Sequence, residues 1–369
     1  LSSLLDRANL ARVISYQFEY SERLRCAFIG AGEHSYRNVY PAFQYAPVEL
    51  LAVCDVRIER ARQYARTFGA AAAYGDHHEM LARERPDAVF IVTSYTEDGQ
   101  VQATQLAEEC MRAGAHVWME KPTATSLAQV DRLAEVSART GRQLMTGLKK
   151  IFTPAIEKVK AIIETPEFGR ASSISVRYPQ AMPPPDERGD DWRMIGFLDH
   201  LFHPAAILGH LMGRVDRLSY EWEPRTGASV SSLRFESGAI GTLHLTAGSA
   251  ATSPLERVEV VGEDANVVVD NGTRLTYYRA GATIPYGRTG SFVVDDAMAP
   301  LHWEPEFSLG QLSNKNLFLL GYVPEVLHFC ESVLRDEPLT KGTLADVRRI
   351  VELYELYRKT PSGVVVDAP

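Results

Sequence analysis

The sequence predicts an α/β domain built on a parallel sheet, followed by an α+β domain whose sheet is mostly antiparallel. Two patterns carry this. Up to about residue 148, short apolar runs alternate with amphipathic stretches of helical length, the signature of βαβ units. Beyond about residue 150, seven strand-like runs follow one another with few helices between them, and "FESGAIGTLHL" puts a Ser-Gly turn between two alternating runs, a hairpin signal. The length of 369 residues fits two domains better than one.

In order, "LRCAFIG", "ELLAVCD", "DAVFIVT", "AHVWME" and "QLMTGL" read as buried strands. "RNVYPAFQYA", "RIERARQYARTFG", "QATQLAEECMRAG" and "SLAQVDRLAEVSARTG" read as the helices between them, the last with Ser126 as N-cap and Gly141 as C-cap. "TPAIEKVKAIIETPEFG" opens the second half as a helix. "RASSISVRY", "VDRLSYEWE", "ASVSSLRFES", "AIGTLHLTAG", "ERVEVVGED", "ANVVVDN" and "RLTYYRA" are its strands. Residues 279–312, rich in Gly, Pro and Ser, read as a long loop, and two helices, "YVPEVLHFCESVLRD" and "LADVRRIVELYELYRKT", close the chain. This gives an N-terminal arm over 1–23, a first domain over 24–148 and a second over 149–369.

Composition narrows the function classes. A net charge of −8 offers no electrostatic reason to bind nucleic acid or an anionic membrane. No apolar run is long enough to span a bilayer. The four cysteines form no CxxC pair or zinc spacing, and Cys26 and Cys54 fall inside strands as small buried residues. A reducing, cytoplasmic setting fits them. The arm is polar-apolar, partly helical, and lacks the apolar core of a signal peptide. Leu1 rather than Met opens the chain, which leaves room for residues upstream.

Three stretches carry chemistry. "AFIGAGEHS" places Gly30, Gly32 and Ser35 after the first strand in the G-x-G-x-x-[G/A/S] spacing, which suits a tight turn, close approach of a pyrophosphate and a following helix N-terminus. Asp55, 23 residues beyond Gly32, ends the second strand where an acid accepts hydrogen bonds from the adenine ribose. A carboxylate there repels a 2′-phosphate, so NAD is favoured, while Arg57 keeps NADP open. Thr93, at the end of the third strand-like run, joins the cofactor set. "WMEKPTA" places Glu120, Lys121 and Pro122 behind a buried strand, which reads either as a surface ion pair or as a lysine held against a ligand. "GFLDHLFHPAAILGHLMG" sets Asp199 and His203 four residues apart on one helix face. Pro204 predicts that this helix starts near residue 200 or bends there, so Asp199 would be an N-cap, a catalytic group or both. The nearby histidines have no Cys or Glu at ligand spacing, and no metal is expected.

Taken together, "GAGEHS", Asp55, "EKP" and "GFLDHLFHPAAILGHLMG" resemble the Gfo/Idh/MocA family, NAD(P)-dependent oxidoreductases acting mostly on sugars and cyclitols. "TGLKKIFTPAIEKVKAIIETPEFGRASSI" resembles that family's bridge between domains, and "PEVLHFCESVLRDEPLTKGTLADVRRIVELYELYRKT" its closing helices. The resemblance implies a Rossmann domain, an open-faced antiparallel sheet domain and self-association as a homodimer or homotetramer. It implies Lys121 as the catalytic lysine, Asp199 and His203 as the acid-histidine pair, and a cis bond before Pro122. Three departures stand out. "TSYTEDGQVQATQ" replaces the family's Pro-Asn pair and following histidine, Ala206 replaces a second aspartate, and Lys149-Lys150 replace an arginine.

Alcohol oxidation needs a hydride acceptor, a base for the hydroxyl proton and a group that stabilises the alkoxide. His203 suits the proton and Lys121 the alkoxide. Either can be the terminal base. Lys121, Lys150, Trp192, Arg193, Asp199 and His203 are the candidate contacts to a carbohydrate-like substrate, with Lys149 beside them. Two other functions share these residues: a redox-neutral enzyme that cleaves glycosides through transient oxidation, and a non-enzymatic dinucleotide sensor. An intact Lys121, Asp199 and His203 count against the sensor.

Overall fold

The computed structural model describes residues 14–253, 255–280, 298–305 and 315–368. The first sheet has six parallel strands: β1 (Leu24–Ile29), β2 (Val48–Cys54), β3 (Ala72–Tyr74), β4 (Ala88–Ile91), β5 (His116–Glu120) and β6 (Leu144–Gly147). Their order, β3-β2-β1-β4-β5-β6, is that of a dinucleotide-binding sheet. The helices α1 (Ile58–Phe68), α2 (His77–Glu84), α3 (Gln102–Arg112) and α4 (Leu127–Thr140) belong to the crossovers. All four residues of β4 are buried, which is why it reads as a continuous apolar run. Strand order reverses at β1, and the crevice between the carboxyl ends of β1 and β4 is where such sheets bind ligands.

Two local readings need correction. "RNVYPAFQYA" does not form one α-helix. A π-helical turn over Ser35–Val39 passes into a 3-10 turn over Tyr40–Tyr45. Pro41 has no N–H to give to the ladder, so regular i→i−4 pairing stops there. Strand β3 and helix α2 were not foreseen, because "AAY" is short and carries no alternation. Asp76 nonetheless starts α2, its carboxylate accepting from Glu79 N at 2.9 Å. Of the N-terminal arm, 14–23 are described, with a 3-10 turn at Gln17–Glu19; residues 1–13 lie outside the described residues.

The second half contains α5 (Pro154–Ile163), β7 (Ser173–Tyr178), α6 (Asp191–Met212), β8 (Val215–Trp222), β9 (Ser229–Phe235), β10 (Ile240–Leu245), β11 (Arg257–Val261), β12 (Asn266–Asp270) and β13 (Arg274–Tyr278). After these come β14 (Leu301–Trp303), α7 (Lys315–Leu319), α8 (Tyr322–Leu334), α9 (Leu344–Lys359) and β15 (Val366–Asp367). Nine strands form one sheet in the order β14-β13-β12-β11-β7-β10-β9-β8-β15. Only the β7–β10 pair is parallel among the described strands. The β9–β10 hairpin closes with Gly238 at φ +82°, a left-handed conformation that suits glycine. On β9, Ser229, Ser231, Leu233 and Phe235 face inward, and Ser231 bonds to the Tyr357 hydroxyl of α9 at 2.6 Å. The other face leaves Val230 and Ile240 exposed. The expected loop over 279–312 contains β14, while 281–297 and 306–314 lie outside the described residues.

Helix α6 positions the site, and it starts earlier than Pro204 suggests. Asp190 caps it, accepting from Trp192 N at 2.9 Å and Arg193 N at 3.2 Å. Asp199 and His203 therefore sit in its interior, and Asp199 is no N-cap. An interior proline costs about 3 kcal/mol. Leu198, Leu201, Phe202, Ile207, Leu208 and Leu211 are all buried around it, and each contributes roughly 1.5–3 kcal/mol. Burial wins.

Candidate active site

The glycine turn is held tightly. Gly30 has φ +113°, and a Cβ there would lie 1.8 Å from the carbonyl oxygen of Val92, so no other residue fits. Gly32 faces open space, leaving its backbone approachable. Ser35 Oγ donates to Gly32 O at 2.8 Å and accepts from Gly32 N at 3.1 Å, so this buried serine ties the turn to itself. Asp55 reaches the same turn from β2. Its Oδ2 accepts from Ala31 N at 2.8 Å and its Oδ1 from Arg57 N at 2.9 Å. Arg57 presents only its backbone here; Arg60, one helical turn on, is the arginine that lines the cleft beside Asp55.

That cleft has a volume of about 730 Å³ and runs past Gly30, Gly32, Asp55 and Thr93 at the carboxyl ends of the strands. The buried hydroxyl of Thr93 has no partner among the described residues. A hydroxyl left so is costly unless a ligand completes it. The bare turn at Gly32 and this unpaired hydroxyl fit a dinucleotide, with Asp55 at the ribose position.

The second cluster lies where β5 meets α6. The Lys121–Pro122 bond is cis. Lys121 Nζ donates to Asp199 Oδ1 at 2.7 Å, and both side chains are mostly buried. Glu120 shapes the turn beneath: its Oε2 accepts from Lys121 N at 2.9 Å and its Oε1 meets His34 Nε2 at 2.9 Å. Burial pushes the Glu120 carboxyl up, but His34, Lys121 and Lys149 outweigh it and hold it below the usual range. The structure thus brings Lys121 and Asp199 together. It does not hydrogen-bond Asp199 to His203 among the described residues, so the acid holds the lysine rather than the imidazole. His203 is one turn further on, its ring 6.1 Å from that of Tyr178. Burial, then the charges of Lys121, Lys150 and Lys149, hold its imidazole well below the ordinary histidine range.

The remaining candidates scatter. Lys150 pairs with Glu256 at 2.5 Å, both mostly buried. Lys149 donates to the Tyr322 hydroxyl at 2.8 Å. Trp192 is 53% exposed, two helical turns before Asp199 and on the same side of α6. Arg193 points elsewhere, toward Glu187 at 3.4 Å.

Sequence reasoning missed Tyr95. Its hydroxyl donates to Asp199 Oδ1 at 2.5 Å, and burial and Asp199 push its pKa up, keeping it protonated. Its neighbours Ser94 and Thr96 line the cleft, so this tyrosine joins the cleft to the Lys121–Asp199 pair. The sequence marks "TSYTEDGQ" as a departure from the family pattern, but not that its tyrosine reaches Asp199. Glu325 was also missed. It is fully buried on α8 and neither carboxyl oxygen has a partner among the described residues. A further group, His77, His78 and Glu109, gathers on the cleft wall.

Residues 24–148 match the model of an oxidoreductase family with an NAD-binding Rossmann fold, and residues 156–268 match the GFO/IDH/MocA C-terminal domain. The chain belongs to the Gfo/Idh/MocA family. It is accordingly an NAD(P)-dependent oxidoreductase with the Rossmann domain first and the mostly antiparallel domain second. It is similar to a myo-inositol 2-dehydrogenase of Thermotoga maritima, 28% identical over 235 residues that cover 60% of this chain and 68% of the relative. It is also similar to a 4-carboxy-2-hydroxymuconate-6-semialdehyde dehydrogenase of a Sphingobium species, 26% identical over 263 residues covering 69% and 79%. The structure of an Agrobacterium radiobacter oxidoreductase in complex with NAD+, L-tartaric acid and magnesium superposes with a TM-score of 0.72 at 18% identity, covering 94% of this chain and 98% of that one, and establishes the shared fold. Among the described residues no helix is long and apolar enough to cross a membrane.

Proposed function

We propose that this Gfo/Idh/MocA oxidoreductase interconverts a secondary alcohol and a ketone on a sugar, a sugar derivative or a cyclitol. The observation that carries this is the convergence of Lys121 and Tyr95 on one oxygen of Asp199, Tyr95 standing between Ser94 and Thr96 of the cleft that suits the dinucleotide. The similarity to the myo-inositol dehydrogenase favours a polyhydroxylated ring. NAD, when bound, accepts the hydride at nicotinamide C4 or returns it. The chain's own residues handle the oxygen and its proton. Lys121 stabilises the alkoxide as a charged donor. Tyr95, kept protonated, gives its one hydrogen to Asp199 and so fixes the carboxylate that holds Lys121. His203, kept neutral by burial and nearby lysines, is a base ready to take the hydroxyl proton. Asp199 positions Lys121, whose remaining N–H groups are free to meet the substrate oxygen. Asp55 at the ribose end favours NAD over NADP. The open face of the nine-stranded sheet, with Val230 and Ile240 exposed, suits self-association of this chain, to be checked by light scattering.

The test is NADH formation with NAD or NADP across a panel of cyclitols, sugars and glycosides, for the native chain and Lys121→Ala. NADH from a cyclitol or sugar with native protein, and none with Lys121→Ala, is the expected result. Glycoside cleavage with NAD retained and no NADH released would instead favour redox-neutral chemistry. Silence from a chain that binds NAD would sink the dehydrogenase reading.

A further inference from the structure

We propose that His77, His78 and Glu109 form a site for a divalent transition metal, zinc being the best fit, and that a metal seated there hinders dinucleotide entry. The argument starts from Glu109 Oε2. His77 Nε2 lies 2.6 Å from it and His78 Nε2 lies 3.8 Å from it. One ligand atom from each residue falls within 4.8 Å of the others. Consecutive residues of a helix normally diverge by about 100°. Here, at the start of α2, the two imidazoles lie side by side with ring centroids 4.0 Å apart. Two elements distant in sequence thus bring three ligand atoms, two imidazole nitrogens and a carboxylate oxygen, within 4.8 Å of one another.

The chemistry suits zinc. Two histidines and one glutamate form a ligand set that zinc uses, with metal–ligand distances of about 2.0–2.2 Å. Tetrahedral ligands are then about 3.3 Å apart. Of the separations from Glu109 Oε2, 2.6 Å is shorter and 3.8 Å longer than this, and all three ligand atoms lie within 4.8 Å, so side-chain rotation closes the site. Nitrogen ligands select against magnesium and calcium, which prefer oxygen. Gln105 Nε2 donates to Glu109 Oε1 at 2.8 Å, which orients the carboxylate and leaves Oε2 for the metal. His77 and Glu109 are about one-fifth exposed and His78 is 66% exposed, so the group is both held and reachable. Water would fill the remaining coordination position.

Location gives the site a consequence. The three residues line the same cleft as Gly30 and Asp55. If the metal disfavours the dinucleotide, the dinucleotide must disfavour the metal by the same factor. In the absence of metal, the His77–Glu109 hydrogen bond keeps the group together; a metal on Nε2 takes the neutral ring with its proton on Nδ1.

The experiment needs no substrate, so its outcome is separate from that of the proposed dehydrogenase activity. Zinc chloride is titrated into the full NAD-free chain by calorimetry, with magnesium chloride as control. His78→Ala is the first variant, since that residue is largely exposed and its loss leaves the fold intact. Glu109→Gln, which keeps a hydrogen-bonding side chain, is the second. Expected are one saturable zinc site absent with magnesium, binding about tenfold or more weaker in both variants, and an NAD Kd raised by zinc in the native chain but not in His78→Ala. Absence of saturable binding, binding unchanged in both variants, or an NAD Kd indifferent to zinc would each overturn the proposal.

Discussion

The Tyr95 hydroxyl and the Lys121 ammonium both donate to the same atom, Asp199 Oδ1, at 2.5 and 2.7 Å. One oxygen therefore gathers two donors, and because the tyrosine hydroxyl has a single hydrogen, Tyr95 acts by fixing the carboxylate that orients Lys121. Misplacing a catalytic group by about 1 Å can cost about 10²-fold in rate. Tyr95→Phe keeps the ring and its packing and removes only the hydroxyl. Steady-state kinetics should show kcat falling by about 10²-fold with a much smaller change in KM. Equal kcat in Tyr95→Phe and native protein would remove this tyrosine from the mechanism.

With His203 as the proposed base, its titration sets the acid limit of activity. Its imidazole is held well below the ordinary histidine range by burial and by three lysines, so it stays neutral, and able to accept a proton, down to an unusually low pH. The expected profile of kcat/KM is flat through neutrality and falls only well below about pH 6.5. His203→Gln should lose about 10²-fold or more in rate. The same depression makes acid destabilising. Below about pH 6.5 the unfolded chain protonates this histidine while the folded chain resists, so the stability held above that pH is lost as pH falls through the folded pKa. An acid limb centred at ordinary histidine values, unmoved by His203→Gln, would count against this base.

Local pattern was legible in the sequence where burial imposes a period. The strand around Phe28, the hairpin at Gly238 and the helices after Arg57 and Ser126 each show the alternation or the caps that their neighbours demand. The Lys121 and Asp199 motifs were legible too. What stayed hidden depends on pairing across distance. Tyr95 and Asp199 are 104 residues apart, and nothing in "TSYTEDGQ" signals the contact. The loop is fixed to α6 by tertiary bonds: Gln100 Nε2 reaches Asp191 Oδ2 at 2.9 Å, and Gly99 packs on the backbone of Trp192. Strands β3, β14 and β15 are two or three residues long and exist because a longer neighbour offers an edge. Pro204 misled because its local penalty is real but smaller than the burial around it.

Thr93 offers a direct probe of the cofactor cleft. Its buried hydroxyl has no partner among the described residues, so Thr93→Val removes an unsatisfied polar group without changing shape. The free protein should be as stable as native or slightly more so. If the dinucleotide completes that hydroxyl, NAD should bind about 3- to 10-fold more weakly, the equivalent of one hydrogen bond. Calorimetric NAD titration with thermal melts of both forms reads the two effects separately. An unchanged NAD Kd would place the cofactor elsewhere in the cleft.

Glu325 links the buried helix α8 to pH. Burial, then the nearby Glu120 charge, pushes its carboxyl well above the ordinary value, and Lys149 only partly opposes this. The folded chain thus holds this proton more tightly than the unfolded chain. The stabilising contribution is complete below about pH 4.5 and declines as pH rises through the folded pKa. Glu325→Gln keeps the shape and has no proton to lose. Urea denaturation at about pH 5 and about pH 8 should show native protein losing stability between them and the variant losing less. The gap between the two proteins should therefore move in favour of Glu325→Gln as pH rises. A gap that stays constant, or moves the other way, would mean that Glu325 is ionised in the fold and that Lys149 governs it instead of burial.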